Sequence, residues 1–408
     1  MSEWFGAYDK GLWLTAEPMS ESELTSGELS LFTGPFAYPV MVARKAALDA
    51  NIATMADYTR RHGLLFAPHG KTSMSPRLFA AQLDAGAWAI TVATANQALV
   101  ARRFGVPRVL LANELHDPRA LRWAAGQAVQ DSAQDASRDA EFLCYVDSPE
   151  GVEAASRAVA ETPGGRLDVL VELGHPGGRT GCRSVTQAVE LAHRAAESGL
   201  SVAGVAGYEG GLPDGEAVAA WLRDLAAVGD GIADLAGGMP IVSAGGSAWF
   251  DVVAEVLAPL VGTRRVVLRS GAYVSHDNGF YSRVTPFGRH PEEGGLDGAL
   301  EVWAQVLSAP EPGSALLGAG RRDVPFDLDL PVPLEIRAAD GTLRPAAGAK
   351  VVKVEDQHAY VETGGVVFVP GEVVRLGLSH PCTAFDKWRV IPVVDDDYRV
   401  VDVLRTYF

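Results

Sequence analysis

The stretch LLFAPHGKTSMSPRLFAAQLDAGAWAITVAT (64–94) decides the fold class of this chain. It holds a short apolar run, LLFAP (64–68), a helical segment, SPRLFAAQLDAGA (75–87), and a second apolar run, AITVAT (89–94). Ser75-Pro76 reads as a helix start, because a proline at the first helical position has no N–H to leave unpaired. Gly86 stops the same helix. The segment is therefore one strand–helix–strand unit, with a single lysine, Lys71, between the first strand and its helix.

The same unit recurs on both sides. Apolar runs stand at 39–43 (PVMVA), 64–68, 89–94, 108–112, 142–146, 167–173, 202–207 and 240–245. Amphipathic segments lie between them, among them ANQALVARRFG, SPEGVEAASRAVAE and VTQAVELAHRAAESG. Eight strands, each followed by a helix, predict an α/β fold with a (β/α)8 barrel over residues 36–280, close to the usual barrel size of roughly 250 residues. An open doubly wound sheet has the same alternation; the anion-binding turn described below favours the barrel. The segment 126–140, rich in Ala, Gln, Ser and Asp, reads as a helix end and flexible loop. Past residue 285 the pattern changes to short alternating runs joined by turns such as Asp340-Gly341 and Gly364-Gly365. Residues 281–408 are expected to form a C-terminal β domain, completed by the N-terminal segment 1–35 packing on it.

Composition narrows the function classes. The 408 residues carry a formal net charge of −16, with 48% hydrophobic and 21% charged residues. No dense Lys/Arg run exists, so neither nucleic acid nor an anionic membrane is the expected partner. Three widely spaced cysteines, Cys144, Cys182 and Cys382, do not make a disulfide framework. With an N-terminus that lacks the basic-then-apolar pattern of a secretory signal, a reducing cytoplasm is the expected compartment. No apolar run approaches the length of a membrane span.

The chemistry-bearing residues cluster at strand ends, where barrel enzymes place their sites. Lys71 lies three residues beyond LLFAP. It is either a solvated loop charge or an amine that forms a Schiff base with an aldehyde. The Gly-rich turn SAGGS (243–247), with Gly245, Gly246 and Ser247, feeds a helix. It is either a tight turn or a phosphate site. A rim lysine with a phosphate turn points to pyridoxal 5′-phosphate. His380 and Cys382, two residues apart in SHPC (379–382), are either a buried thiol beside a hydrogen-bonded imidazole or a metal pair, and thiolate plus imidazole suits zinc. Arg179 and Tyr273 are candidates to meet phosphate, and Tyr208 to touch the cofactor ring. His358 is a candidate proton carrier or a polar strand residue. Cys144, inside an apolar strand, reads as core.

PHGKT (68–72), GGRTGCR (177–183), SAGGS, LRSGAYV (268–274) and SHPC occur in this order along nearly the whole chain. Together they resemble the D-serine dehydratase/D-threonine aldolase family, fold-type III pyridoxal-phosphate enzymes similar in architecture to alanine racemase. The resemblance implies Lys71 as the cofactor lysine, SAGGS and the Gly271–Tyr273 segment on the phosphate, and Arg269 facing the pyridine nitrogen. It also implies His380 and Cys382 on a divalent metal, a homodimer, and a D-3-hydroxy amino acid as substrate. A cysteine in the metal pair leans towards zinc and towards dehydration to a 2-oxo acid and ammonia. Aldol cleavage to glycine and an aldehyde, racemisation, and non-catalytic cofactor binding are the alternatives. Two positions depart from the family pattern: Gln357 stands before His358 where a glutamate is common, and Gly70 precedes Lys71.

Overall fold

A computed structural model of the chain describes residues 4–15, 17–127 and 140–408. It divides into two compact units, one of residues 55–71 and 79–271, the other of residues 1–54, 72–78 and 272–408. Most of the segment 126–140, read above as a helix end and loop, lies outside the described residues.

The first unit is built on eight parallel strands: β1 (Leu65–Phe66), β2 (Ile90–Val92), β3 (Arg108–Glu114), β4 (Glu141–Val146), β5 (Asp168–Leu173), β6 (Ser201–Gly207), β7 (Ile241–Ala244) and β8 (Arg265–Leu268). Neighbours pair in order from β2 to β8, and β8 pairs with β1. The remaining seam is held by a parallel bridge between His69 and Thr91, with Thr91 N–H donating to the Pro68 carbonyl at 2.9 Å. The sheet thus curls round on itself. Its interior is filled by a layer to which every strand or its edge contributes, including Ala67, Ala89, Leu110, Leu143, Leu170, Ala206, Ile241 and Val267. Burying each of the larger aliphatic side chains stabilises the fold by about 1.5–3 kcal/mol.

The intervening helices start where the sequence signals them. Ser148, Ser184 and Thr94 cap the helices Pro149–Glu161, Val185–Glu197 and Ala95–Arg103, each side chain accepting a backbone N–H three residues on. Asp214 does the same for Gly215–Gly231.

One strand assignment is corrected. The run at 39–43 is not a barrel strand: Val40–Arg44 pairs antiparallel with Leu300–Ser308 and parallel with Val390–Val394, in the second unit. The eighth barrel strand is instead Arg265–Leu268, which pairs in parallel with Ile241–Ala244. Val40–Ala43 is buried on both faces, as a central strand of any sheet is, so its apolar pattern is that of a barrel strand. Lys71 therefore follows the first barrel strand, Arg179 the fifth, Tyr208 the sixth and SAGGS the seventh.

The second unit is an antiparallel β domain. Its long sheet carries Leu300–Ser308, Ser314–Leu317, Val332–Arg337, Lys350–Val354, Ala359–Glu362 and Val373–Gly377, while Val390–Val394 and Val400–Arg405 form a hairpin beside Val40–Arg44. Its core joins Trp303, Val390, Val394, Val400 and Val403 to Phe5, Leu12, Leu24 and Leu31 from the N-terminal segment, as expected from the sequence. Among the described residues no helix is long and apolar enough to cross a membrane.

Candidate active site

At the C-terminal rim of the barrel, β1 runs into a one-turn 3-10 helix, Gly70–Thr72, that carries Lys71. Gly70 is explained by packing. A Cβ there would sit 2.7 Å from Phe79 Cε1 and 2.8 Å from Ile90 Cγ2, both fully buried side chains. Only glycine lets the lysine turn lie this close to the barrel wall. His69 just before it is pushed well below the usual histidine range, first by burial and then by the positive charges of Lys71, Arg269 and Arg179. In a chain of net charge −16, these cations acting on one imidazole mark the barrel mouth as a place for an anion.

Arg269, at the end of β8, is buried and fixed at both nitrogens: Nη1 donates to Ser243 Oγ and Nη2 to the Gly207 carbonyl, each at 2.5 Å. Two residues on, Gly271 packs against the lysine segment. A Cβ there would lie 2.6 Å from both the Cβ and the carbonyl oxygen of His69. Arg179 and Tyr208 meet at the ends of β5 and β6, with the guanidinium carbon 4.7 Å from the ring centroid. The loop bearing Arg179 is tied by Arg183, whose guanidinium donates to the carbonyls of Gly178, Arg179, Thr180 and Gly181. Arg179 and Tyr208, together with Glu172, His175, Thr180 and Gly210, line a small polar cavity.

The SAGGS turn has a partner the sequence reading passed over. Glu209, fully buried, accepts the N–H of Gly245 at 3.2 Å through Oε2 and that of Gly246 through Oε1. A carboxylate here occupies both glycine N–H groups, so a phosphate at this turn has to draw on Ser247 and other donors of the rim. Gly245 has φ +104°, and Gly246 leaves no room for a Cβ, which would stand 2.9 Å from Tyr208 Cε2. Both glycines are thus required by the turn itself.

A second carboxylate group was also missed. Glu114, Asp147 and Glu172, from the ends of β3, β4 and β5, have carboxylate oxygens all within 4.8 Å of one another. Burial first, then the negative charge of Glu172 and of Asp147, raises the Glu114 carboxyl to about 9, so at neutral pH it holds a proton. Cys144 lies fully buried in β4 and its thiol is pushed up to about 12 by burial, which fits the core role expected of it.

In the second unit, His380 stands on the tight segment between Val373–Gly377 and the 3-10 turn Pro381–Thr383, and Cys382 lies within that turn. His380 has φ +54°, a left-handed conformation unusual for histidine. Its imidazole Nδ1 lies 2.5 Å from Asp327 Oδ2. A side-chain hydrogen bond to Cys382 comes first, and Asp327 after it, in raising the His380 pKa to about 9. The thiol also lies 3.5 Å from Thr72 Oγ1. An imidazole nitrogen and a sulfur converging on one point are a fitting pair of donors for zinc, and two donors leave positions open for substrate or water. The chain passes between the two units at the Lys71–Thr72 bond and again at Gly271–Ala272.

The remaining candidates are placed as follows. Tyr273 is buried in the one-turn helix Ala272–Val274 of the second unit. His358 is exposed on the turn of the hairpin Lys350–Val354/Ala359–Glu362, beside a groove lined by Arg321, Lys353 and Gln357. Gln357 donates through Nε2 to Asp323 at 3.0 Å.

Comparison with known proteins agrees with this architecture. Residues 44–251 match the family profile "Alanine racemase, N-terminal domain", and residues 299–394 match "Putative serine dehydratase domain". A D-threonine aldolase of Arthrobacter sp is 26% identical over 372 residues, 88% of this chain and 89% of that protein. A 3-hydroxy-D-aspartate aldolase of Paracoccus denitrificans is 25% identical over 388 residues, 92% of this chain and 90% of that one. Among solved structures, D-threo-3-hydroxyaspartate dehydratase from Delftia sp. HT23 superposes with a TM-score of 0.72 at 23% identity, covering 93% of this chain and 99% of that one. The same dehydratase has also been solved as a cysteine-to-alanine variant in the metal-free form.

Fold and rim together define a fold-type III pyridoxal-phosphate enzyme. The chain belongs to the family of the alanine racemase N-terminal domain, here joined to a domain of serine dehydratase type, and is a pyridoxal-phosphate-dependent lyase.

Proposed function

We propose that this lyase dehydrates and deaminates a D-3-hydroxy amino acid to a 2-oxo acid and ammonia, using pyridoxal phosphate on Lys71 and a divalent metal, zinc, on His380 and Cys382. The observation that carries the cofactor reading is the cationic barrel mouth, where Lys71, Arg269 and Arg179 add to the larger effect of burial in lowering the pKa of His69. The residues present fit the cofactor: a rim lysine to bind its aldehyde, a fixed buried arginine, and a rim of positive charge for its phosphate. When bound, it supplies a sink for the electrons released at Cα.

In this reading Lys71 Nζ would hold the cofactor's aldehyde and, when free as an amine, would take the α-proton of the substrate. Arg269 cannot turn away, because Ser243 and Gly207 hold both its nitrogens. Tyr208, backed by Arg179, offers a ring face to the cofactor. Ser247 and Gly271 belong to the phosphate end and Tyr273 with them. His380 and Cys382 would hold a divalent cation, which would supply Lewis-acid chemistry at the β-hydroxyl. The thiolate donor favours zinc over harder cations. His358 is a proton carrier in this scheme, acting from its exposed turn in a homodimer.

Aldol cleavage is the second reading, favoured by the names of the Arthrobacter and Paracoccus relatives. Incubating the holoenzyme with D-serine, D-threonine and D-threo-3-hydroxyaspartate, with and without chelator, separates the two. Dehydration gives a 2-oxo acid and ammonia, lost on chelation and restored by zinc. Glycine and an aldehyde as products replace the first reading with the second. Turnover that ignores the chelator removes the metal from both.

A further inference from the structure

We infer that Asp327 is a positioning residue for the metal, fixing the tautomer and direction of the His380 imidazole. The inference deepens the metal reading above and rests on it. Asp327 lies in the loop segment PFDLDLP (325–331), more than fifty residues before the SHPC turn, and nothing in its own sequence neighbourhood marks it as part of a site. Its Oδ2 stands 2.5 Å from His380 Nδ1 and its Oδ1 accepts from Thr383 Oγ1 at 2.9 Å. The carboxylate therefore clamps the turn on both sides of Cys382.

The consequence for the imidazole is chemical. A carboxylate accepts and does not donate, so Nδ1 carries the proton and Nε2 keeps its lone pair for a cation. The ring's other neighbours are Cys382, to which it also hydrogen-bonds, and Tyr281, whose ring centroid is 6.2 Å away; the carboxylate is what holds Nδ1. His380 sits in a left-handed backbone conformation, and its own N–H is held by Asp277 Oδ2 at 2.9 Å. The backbone is thus fixed by one aspartate and the ring by another. Asp329, two residues after Asp327, grips the neighbouring Ser379 Oγ at 3.0 Å and does not contact the ring.

A purely structural role for Asp327 would act through the turn as a whole, and Thr383→Val tests that role separately. It removes the other Asp327 contact, together with the Thr383 Oγ1 bond to the His380 carbonyl at 3.2 Å, while leaving the Asp327–imidazole contact in place. The experiment measures zinc affinity of the full-length holoenzyme by competition with a chromophoric chelator, for wild type, Asp327→Asn, Asp327→Ala and Thr383→Val. Denaturation midpoints are recorded alongside. The inference expects Asp327→Asn and Asp327→Ala to lose about 10–100-fold in zinc affinity, with Thr383→Val within about twofold of wild type. Excess zinc should restore turnover to Asp327→Asn. Equal affinities for wild type and Asp327→Asn, or equal losses in Asp327→Asn and Thr383→Val, overturn the positioning role while leaving the metal reading intact. A wild-type enzyme that takes up no zinc overturns the metal reading and this inference with it.

Discussion

Replacing Gly70 by alanine tests whether the lysine turn is held by packing against the barrel wall. The added methyl would stand 2.7 Å from Phe79 Cε1, 2.8 Å from Ile90 Cγ2 and 3.0 Å from Phe79 Cζ. Carbon atoms pack best at about 3.5–4.0 Å, so the methyl is roughly 1 Å too close to two neighbours at once. Neither neighbour can retreat into solvent: Phe79 is 1% and Ile90 0% exposed. Overpacking of this kind costs about 1–3 kcal/mol. Because Gly70 is adjacent to Lys71, the displaced turn also carries Lys71, the proposed cofactor lysine, off its position. Gly70→Ala should therefore lower the urea midpoint by an amount equivalent to about 1–3 kcal/mol and reduce the visible absorbance of bound cofactor. Ile90→Ala removes Cγ2, the wall atom of Ile90 that the added methyl would meet, so Gly70→Ala/Ile90→Ala should lose less than the sum of the two single variants, which makes the pair non-additive. A midpoint for Gly70→Ala within about 0.5 kcal/mol of wild type would refute the packing argument. So would strict additivity with Ile90→Ala.

Two further outcomes follow from the buried carboxylates. Glu114 has its pKa raised from 4.5 to about 9, so the folded state binds a proton that the unfolded state has released between those values. Stability from this group is therefore intact below about pH 4.5 and is lost as pH climbs towards 9. Glu114→Gln, which mimics the protonated form, should gain stability over wild type increasingly across that window; parallel midpoint–pH profiles would contradict the shared-proton reading. Glu209→Ala strips the acceptor from the N–H groups of Gly245 and Gly246, at about 1–3 kcal/mol for each buried donor left unpaired. It should also weaken cofactor binding in equilibrium dialysis, whereas unchanged stability and binding would show that the turn stands without its carboxylate.

The sequence carried the fold well because its signals are local. Ser-Pro starts, capping serines and short apolar runs are visible one segment at a time, and seven of the runs became barrel strands. The exception, Val40–Arg44, has a two-sided burial pattern that an apolar run shows whichever sheet it joins. Which sheet it entered was fixed by partners more than 250 residues away, at Leu300–Ser308 and Val390–Val394. The site divides in the same manner. Lys71 was singled out by its place just past a strand, and His380 with Cys382 by the SHPC motif of the family resemblance; their roles are the proposals made above. Asp327, Glu209 and Glu114 were not legible, since each gains its meaning from a residue that the fold brings to it. Gly70 had looked like a departure bearing on substrate, and its reason turned out to be the space left by Phe79 and Ile90.

The central claim is that Lys71 carries the cofactor, and it can be read directly. Reducing the holoenzyme with borohydride fixes a pyridoxyl phosphate group covalently to the lysine that bound it, and peptide mass spectrometry then locates the added mass. The account predicts the label on the peptide containing Lys71, and none in Lys71→Ala. A label on another lysine, or no label on a protein saturated with pyridoxal phosphate, would contradict it.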